Sequence, residues 1–177
     1  EGKPAVTDVI PAAGVTETDL LQSAYSLEQK SEHPLARAIV AYGEEKRLAA
    51  AKVTDFKALA GNGLEGRIGG ALLHGGSGKF IATLTPVGAE LQAQSDRLAG
   101  QGKTPLYFEK GGTLLGIIAV ADVIKQDSAR AVKELQAQGI EVVMLTGDNE
   151  QTARAIGEQA GVDKVIAGVL PEGKESV

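Results

Sequence analysis

The chain has 177 residues, enough for one large domain or two small ones, with 43% hydrophobic and 23% charged residues and a net charge of −5 from 18 Lys plus Arg against 23 Asp plus Glu. This composition supports a packed core, which must be aliphatic because aromatics are only 3% and tryptophan is absent, and it argues against a basic nucleic-acid-binding face. With no cysteine, only two histidines and no apolar run near the ~18 residues of a membrane span, it excludes disulfide scaffolds, thiolate chemistry, histidine-rich metal sites and a spanning helix.

The chain starts Glu1-Gly2-Lys3-Pro4, without a methionine or a signal peptide, and reads as a segment of a longer protein. Ala5–Ile10 alternates like a short strand and is closed by Pro11 and Gly14. Thr16-Glu-Thr-Asp19 has the form of a capping box, and Leu20, Leu21, Ala24, Tyr25 and Leu27 follow at helical spacing. Pro34 suits the first position of a second helix, whose apolar face is Leu35, Ala38, Ile39 and Tyr42. Val53–Ala60, Leu64–Ile68 and Ala71–His74 read as strands, punctuated by Gly61-Asn62-Gly63 and Gly69-Gly70. A third helix is expected from Thr85-Pro86 to Gly100. Thr104–Glu109 is a strand, and Lys110-Gly111-Gly112 a hairpin turn into the next.

From Gly116 the pattern changes. Gly116–Val120 is continuously apolar, as in a strand of a parallel sheet buried on both faces. Asp127 or Ser128 can cap a helix that ends at Gly139. Ile140–Leu145 reads as a buried strand, Asp148 or Asn149 can cap a helix to Gly161, and Lys164–Ala167 reads as a third strand. This β-α-β-α-β order implies a parallel sheet with right-handed crossovers, joined to the first part near Ile117–Asp122 without a flexible linker.

Candidate chemistry collects at a few points. Thr146-Gly147-Asp148-Asn149 lies between a strand and a helix, where a hydroxyl, freed N–H groups and a helix N-terminus can hold a phosphate; simple helix capping by Asp148 is the plainer reading. Asp122 and Lys125 fall on the same edge and fit either phosphoryl handling or a solvated ion pair, and Lys174 can reach it too. His33 precedes Pro34 and so is extended; the positive end of the following helix favours a neutral, flat ring that can stack on a base, or merely cap. Glu28, five residues earlier, approaches the same point if the chain turns at Lys30-Ser31. Gly61-Asn62-Gly63 is followed by a strand, so it is no dinucleotide fingerprint, but it permits close backbone approach by a ligand. Gly75-Gly76-Ser77-Gly78-Lys79 fails as a phosphate-binding loop, because Leu73 and Phe80 stand where that motif needs glycine and a hydroxyl.

Ser31-Glu32-His33-Pro34-Leu35, Gly61-Asn62-Gly63, Asp122, Thr146-Gly147-Asp148-Asn149 and Leu170-Pro171-Glu172-Gly173-Lys174 together resemble, in order and spacing, the ATP-binding region of heavy-metal-transporting P-type ATPases, most of all the copper-exporting class. The resemblance implies two domains. Residues 1–117 would be an α+β nucleotide-binding domain, an antiparallel sheet with helices; residues 118–177 would be part of an α/β, haloacid-dehalogenase-like (Rossmann-like) phosphorylation domain. It implies adenine against His33 and Glu28, nucleotide beside Gly61 and Gly63, and a phosphorylation site faced by Thr146, Gly147, Asp148 and Lys174. The cofactors implied are ATP, with Mg²⁺ in the full-length protein. The partners implied are transmembrane and actuator domains of the same protein, with no nucleic acid, in a cytoplasmic region of an integral protein of the bacterial cytoplasmic membrane.

Two departures accompany the resemblance. The family's Asp-Lys-Thr-Gly-Thr segment, which carries the phosphorylated aspartate, does not occur in the 177 residues, and Gly76-Ser77 stands where the family often has Gly-Asn. The expectation is weak, largely Mg²⁺-independent ATP binding without turnover. Alternatives are a zinc- or cadmium-transporting member, or a nucleotide-binding haloacid-dehalogenase-like module.

Overall fold

A computed structural model describes residues 3–122, 126–146 and 150–168. The chain opens with strand β1 (Pro4–Pro11), then helices α1 (Glu17–Glu28) and α2 (Pro34–Glu45). Strands β2 (Val53–Leu59), β3 (Gly63–Ile68) and β4 (Ala71–Gly76) follow, then a single-turn helix α3 (Gly78–Ile81) and helix α4 (Ala89–Gly100). Strands β5 (Thr104–Lys110) and β6 (Thr113–Asp122) form a hairpin. The remainder alternates α5 (Gln126–Ala137), β7 (Val143–Leu145), α6 (Glu150–Ala160) and β8 (Lys164–Ile166).

Strands β1 to β6 make one antiparallel sheet in the order β1-β6-β5-β4-β3-β2. Its alternation sorts side chains onto two faces. Leu73, Phe108, Ile118 and Val120 pack against Leu20, Ala24 and Leu27 of α1 and Ile39 of α2. Tyr107 and Ile117 point the other way, against Ile81 of α3 and Leu91 of α4. Burying a Leu or Ile completely contributes roughly 1.5–3 kcal/mol, so these two layers hold the sheet.

This layering corrects one expectation. The apolar run Gly116–Val120 does not lie in a parallel sheet. It is the middle of β6, antiparallel to both β1 and β5. Ile117, Ile118, Ala119 and Val120 are all fully buried because helices cover both faces of this sheet. Two-sided burial, not strand direction, makes a strand continuously apolar. The division expected at residues 117 and 118 thus falls inside β6, whose strand partners are β1 and β5 of the six-stranded sheet.

The second sheet is the parallel pair β7-β8, with α6 between its strands. The strand expected over Ile140–Leu145 is shorter: Ile140 and Val143 are 47% and 42% exposed and only Val143–Leu145 pairs. Helix α5 already starts at Gln126, ahead of the expected caps Asp127 and Ser128. The expected caps Asp148 and Asn149 lie outside the described residues. The helix expected from Thr85 begins at Ala89, because the Thr85 hydroxyl is buried and donates to the Gly112 carbonyl at 3.0 Å, tying this segment to the β5–β6 turn. Gly75 and Gly76 complete β4, and Ser77 caps the unexpected helix α3 by accepting from the Phe80 N–H at 3.3 Å.

Candidate functional site

Helix α1 starts as its capping box predicts, with the Thr16 hydroxyl accepting from the Asp19 N–H at 3.1 Å. Its buried stripe runs Leu20, Ala24, Glu28 at four-residue steps, so the last turn places a carboxyl group where the pattern calls for an apolar residue. The chain then turns: the Ser31 N–H donates to the Glu28 carbonyl at 2.9 Å. This is the turn needed to bring His33 back beside Glu28. His33 is extended, as a residue before proline should be, and caps α2 with Nδ1 accepting from the Leu35 N–H at 3.2 Å. An accepting Nδ1 carries no hydrogen, so the ring is the neutral tautomer with its proton on Nε2. The ring is exposed, with Nε2 and its faces free of the capping bond.

Across from this corner, the end of β2 and the start of β3 meet at Gly61-Asn62-Gly63, where the Asn62 N–H closes a turn onto the Leu59 carbonyl at 2.9 Å. Gly61 has φ +74° and open space around it, so its requirement is conformational. Gly63 differs: at φ +152° an added Cβ would collide with the Gly75 carbonyl oxygen and lie 2.8 Å from the Gly76 Cα. Gly63 is demanded by the close approach of β4, whatever ligand comes near.

Between the two elements is a cavity of about 950 Å³. Glu28, His33, Gly61 and Gly63 all line it. Four of the residues singled out from sequence therefore share one concave site. The structure adds Phe56, Leu35 and Leu106, which make its walls apolar, and Asn62 and Ser77 at its edge. Phe56 was hidden by a β-bulge. The β2–β3 register slips between Thr54 and Lys57, with Asp55 at φ +52°, so Val53 and Phe56 face the same way three residues apart instead of two.

Glu28 is only 5% exposed, and no ion pair or hydrogen bond to its carboxyl group is present among the described residues. Burial alone pushes its pKa from 4.5 up to about 7. Its folded value lies above its unfolded one, so it contributes stability in full below pH 4.5 and loses it as pH rises through about 7. Each unit is worth about 1.4 kcal/mol, so the stability lost over that window is about 3 kcal/mol. In Glu28→Gln, which does not ionise, this loss should vanish. Urea midpoints of the two proteins should diverge from about pH 5 to about pH 8, the variant becoming the more stable. Parallel profiles would refute a buried, ionising Glu28.

Of the residues expected at the phosphorylation site only Thr146 is described, and it does not line this cavity. Thr146 follows the carboxyl end of β7, where its N–H donates to the Ile166 carbonyl at 3.0 Å. Gly147, Asp148 and Lys174 lie outside the described residues. No group of three or more acidic or histidine side chains among the described residues is placed to hold a metal ion, and no helix there is long and apolar enough to cross a membrane.

Sequence reading missed one cluster. On the sheet face opposite α1, His74 of β4 is set between Glu109 of β5, with Nδ1 to Oε2 at 2.7 Å, and Glu65 of β3, with Nε2 to Oε2 at 3.1 Å. The Glu109 carboxylate also accepts from the Gly112 N–H of the hairpin turn, Lys57 lies 3.7 Å from Glu65, and the Phe80 ring meets the imidazole edge-on at 5.9 Å. The three side chains come from three strands, and only the register of the sheet reveals them as neighbours.

Comparison with known proteins gives a consistent family. A family model for haloacid dehalogenase-like hydrolases matches residues 1–177. A copper-transporting P-type ATPase of Rhizobium leguminosarum bv. viciae is 43% identical over 177 residues, which are 100% of this chain and 21% of the relative. A copper-exporting P-type ATPase of Bacillus subtilis (strain 168) is 42% identical over 173 residues, 98% of this chain and 22% of the relative. The chain thus spans about a fifth of the length of the curated relatives it matches. A crystal structure of a zinc-transporting PIB-type ATPase in the E2.Pi state superimposes with a TM-score of 0.87 at 36% identity, covering 98% of this chain and 28% of that one. The N-domain of HMA8, a copper-transporting P-type ATPase, shares the fold over 66% of this chain and 98% of its own, with a TM-score of 0.52 at 24% identity.

Proposed function

The chain belongs to the haloacid dehalogenase-like hydrolases, and we propose that it is the ATP-binding region of a heavy-metal-transporting P-type ATPase, with the cavity between the α1–α2 corner and the Gly61–Gly63 turn as its nucleotide site. One observation carries this reading. An exposed neutral imidazole, a buried carboxyl group and a glycine turn line a single apolar cavity of about 950 Å³, ample for a nucleotide. The His33 ring offers a flat face to adenine, Phe56 and Leu106 exclude water from it, and Glu28 reaches its polar edge. The turn at Gly61-Asn62-Gly63 lets the backbone approach ribose or phosphate without an intervening side chain. Ser77, where the family often has asparagine, contributes its rim position while its hydroxyl stays engaged in capping α3.

In this reading residues 1–117 are the nucleotide-binding domain and residues 118–177 part of the phosphorylation domain, with β6 running from one into the other. The fold shared with an isolated N-domain over two thirds of the chain supports the division. Thr146, Gly147, Asp148 and Lys174 are assigned to phosphoryl transfer, in which hydrogen bonds and positive charge stabilise the transferring group. The accepting aspartate lies outside these 177 residues. Mg²⁺ accompanies ATP, and none of the described residues is assigned to it. The parent is an integral membrane protein whose transmembrane and actuator domains are partners of this cytoplasmic region, in the bacterial cytoplasmic membrane. Copper is the favoured cargo, since the curated relatives cited at 42–43% identity are copper transporters. A zinc-transporting parent is the second reading, supported by the 36% identity to such a structure.

The test is a calorimetric titration of the chain with ATP, alongside His33→Gln. The wild type should bind saturably and without needing Mg²⁺. The variant should bind about tenfold more weakly, as loss of one base–ring stack of ~1–3 kcal/mol requires. Binding indifferent to the substitution would remove adenine from this cavity.

A further inference from the structure

The floor of the cavity holds a carboxyl group with nothing beside it to neutralise it. Glu28 is buried at the end of α1, and the elements packed around it bring no partner. β2 and β5 turn Phe56 and Leu106 to the cavity, β3 Leu64, and the β4–α3 turn Ser77, none of which titrates near neutral pH. The charged or titratable lining groups besides Glu28 are Lys30, Glu32 and His33, all on the α1–α2 corner, and none forms a hydrogen bond or ion pair with the Glu28 carboxyl group. An isolated carboxylate in such surroundings is costly, and a neutral carboxyl group is the form the site accommodates.

Resting on the adenine-nucleotide reading above, we propose that Glu28 recognises the base in its protonated form, its O–H donating to adenine N1 while its carbonyl oxygen accepts from the 6-amino group. A neutral carboxyl group is one donor beside one acceptor, the complement of adenine's acceptor beside donor. An ionised carboxylate is two acceptors, which sets an oxygen against the N1 lone pair. Guanine has O6 and N1–H where adenine has its amino group and N1, and a 2-amino donor next to N1–H, so a carboxylate can still accept from two guanine donors while it loses the match to adenine N1. The proton on Glu28 is therefore part of base selection. Above neutrality, ATP binding takes up one proton from solvent or buffer acid, forming the carboxyl O–H and no other covalent bond. The elevated pKa of Glu28, about 7, places this exchange in the physiological range.

The experiment is calorimetric titration of the 177-residue chain with ATP and with GTP at pH 6, 7 and 8, in two buffers of different ionisation heat, for the wild type and Glu28→Gln. Titration of the terminal phosphate affects both nucleotides alike and cancels in their ratio. The wild-type ratio of ATP to GTP affinity should fall about tenfold between pH 6 and pH 8, as a one-proton linkage requires. At pH 8 the two buffers should report close to one proton taken up per ATP and none per GTP. Glutamine keeps one donor and one acceptor at every pH. The variant's ratio should therefore be flat, and it should bind ATP more tightly than the wild type at pH 8. Saturable ATP binding with a wild-type ratio that stays constant or rises with pH would overturn the proton-dependent recognition and leave the ATP site standing. No saturable ATP binding at any pH, by a chain that still melts cooperatively, would overturn both. The wild-type arms decide the matter even if the variant does not fold.

Discussion

Replacing His74 with leucine should destabilise the six-stranded sheet by about 3–5 kcal/mol, the range for removing one partner of a buried ionic group. Glu109 is only 3% exposed, and its carboxylate is held by the His74 ring and the Gly112 N–H. The ring touches carboxylate oxygens through both nitrogens. A neutral imidazole has one N–H and can serve only one of them, so serving both takes a second proton, on the ring or on a carboxyl group. Removing the ring strands Glu109 in the interior and loosens β3 from β4 and β5. The measurement is a urea midpoint at neutral pH, compared with the double variant His74→Leu, Glu109→Leu. The double variant should regain most of the loss, because removing both partners leaves no buried charge behind. A loss below about 1 kcal/mol in the single variant would show the cluster to be an ordinary surface ion pair.

Gly63→Ala should cost about 2–4 kcal/mol and weaken ATP binding at least tenfold, combining a strained backbone with an overpacked contact. The added methyl group has nowhere to go, because the Gly75 carbonyl of the neighbouring strand occupies its place and the backbone is already at φ +152°. β3 and β4 must separate at the wall of the cavity. Gly61→Ala, two residues away, meets open space and carries only the conformational cost of φ +74°, about 1 kcal/mol. Urea denaturation and ATP titration on the two variants should separate them clearly. Equal losses would mean that the ligand, not strand β4, sets the requirement for glycine here.

Much of the fold was legible because its signals are local. The capping box at Thr16, proline at the first position of α2 and the paired glycines at residues 69–70 and 111–112 each fix backbone geometry within a few residues. The α1–α2 corner of the site was legible for the same reason, since Glu28 and His33 are five residues apart across one tight turn. What escaped depends on partners distant in sequence. Nothing within Gly116–Val120 gives the direction of its neighbours: the β5 side is set by the hairpin turn at residues 110–112, and the other side by β1, more than a hundred residues earlier. Phe56 faces the cavity because of a slip in register against β3, and His74 meets Glu65 and Glu109 because of a register maintained across three strands. The single turn α3 was masked by glycines whose common use is in loops.

Strands β1 and β6 are neighbours, and Pro4 is paired with Asp122. The two places where the chain enters and leaves the six-stranded sheet therefore stand side by side at one end of an antiparallel ladder. Force drawing those two points apart acts across the ladder and opens it rung by rung, the mechanically weak direction, whereas torque delivered through both strands together turns the whole sheet with its helices as one body. The β1–β6 ladder is thus the part of the sheet that yields first when those two points are pulled apart.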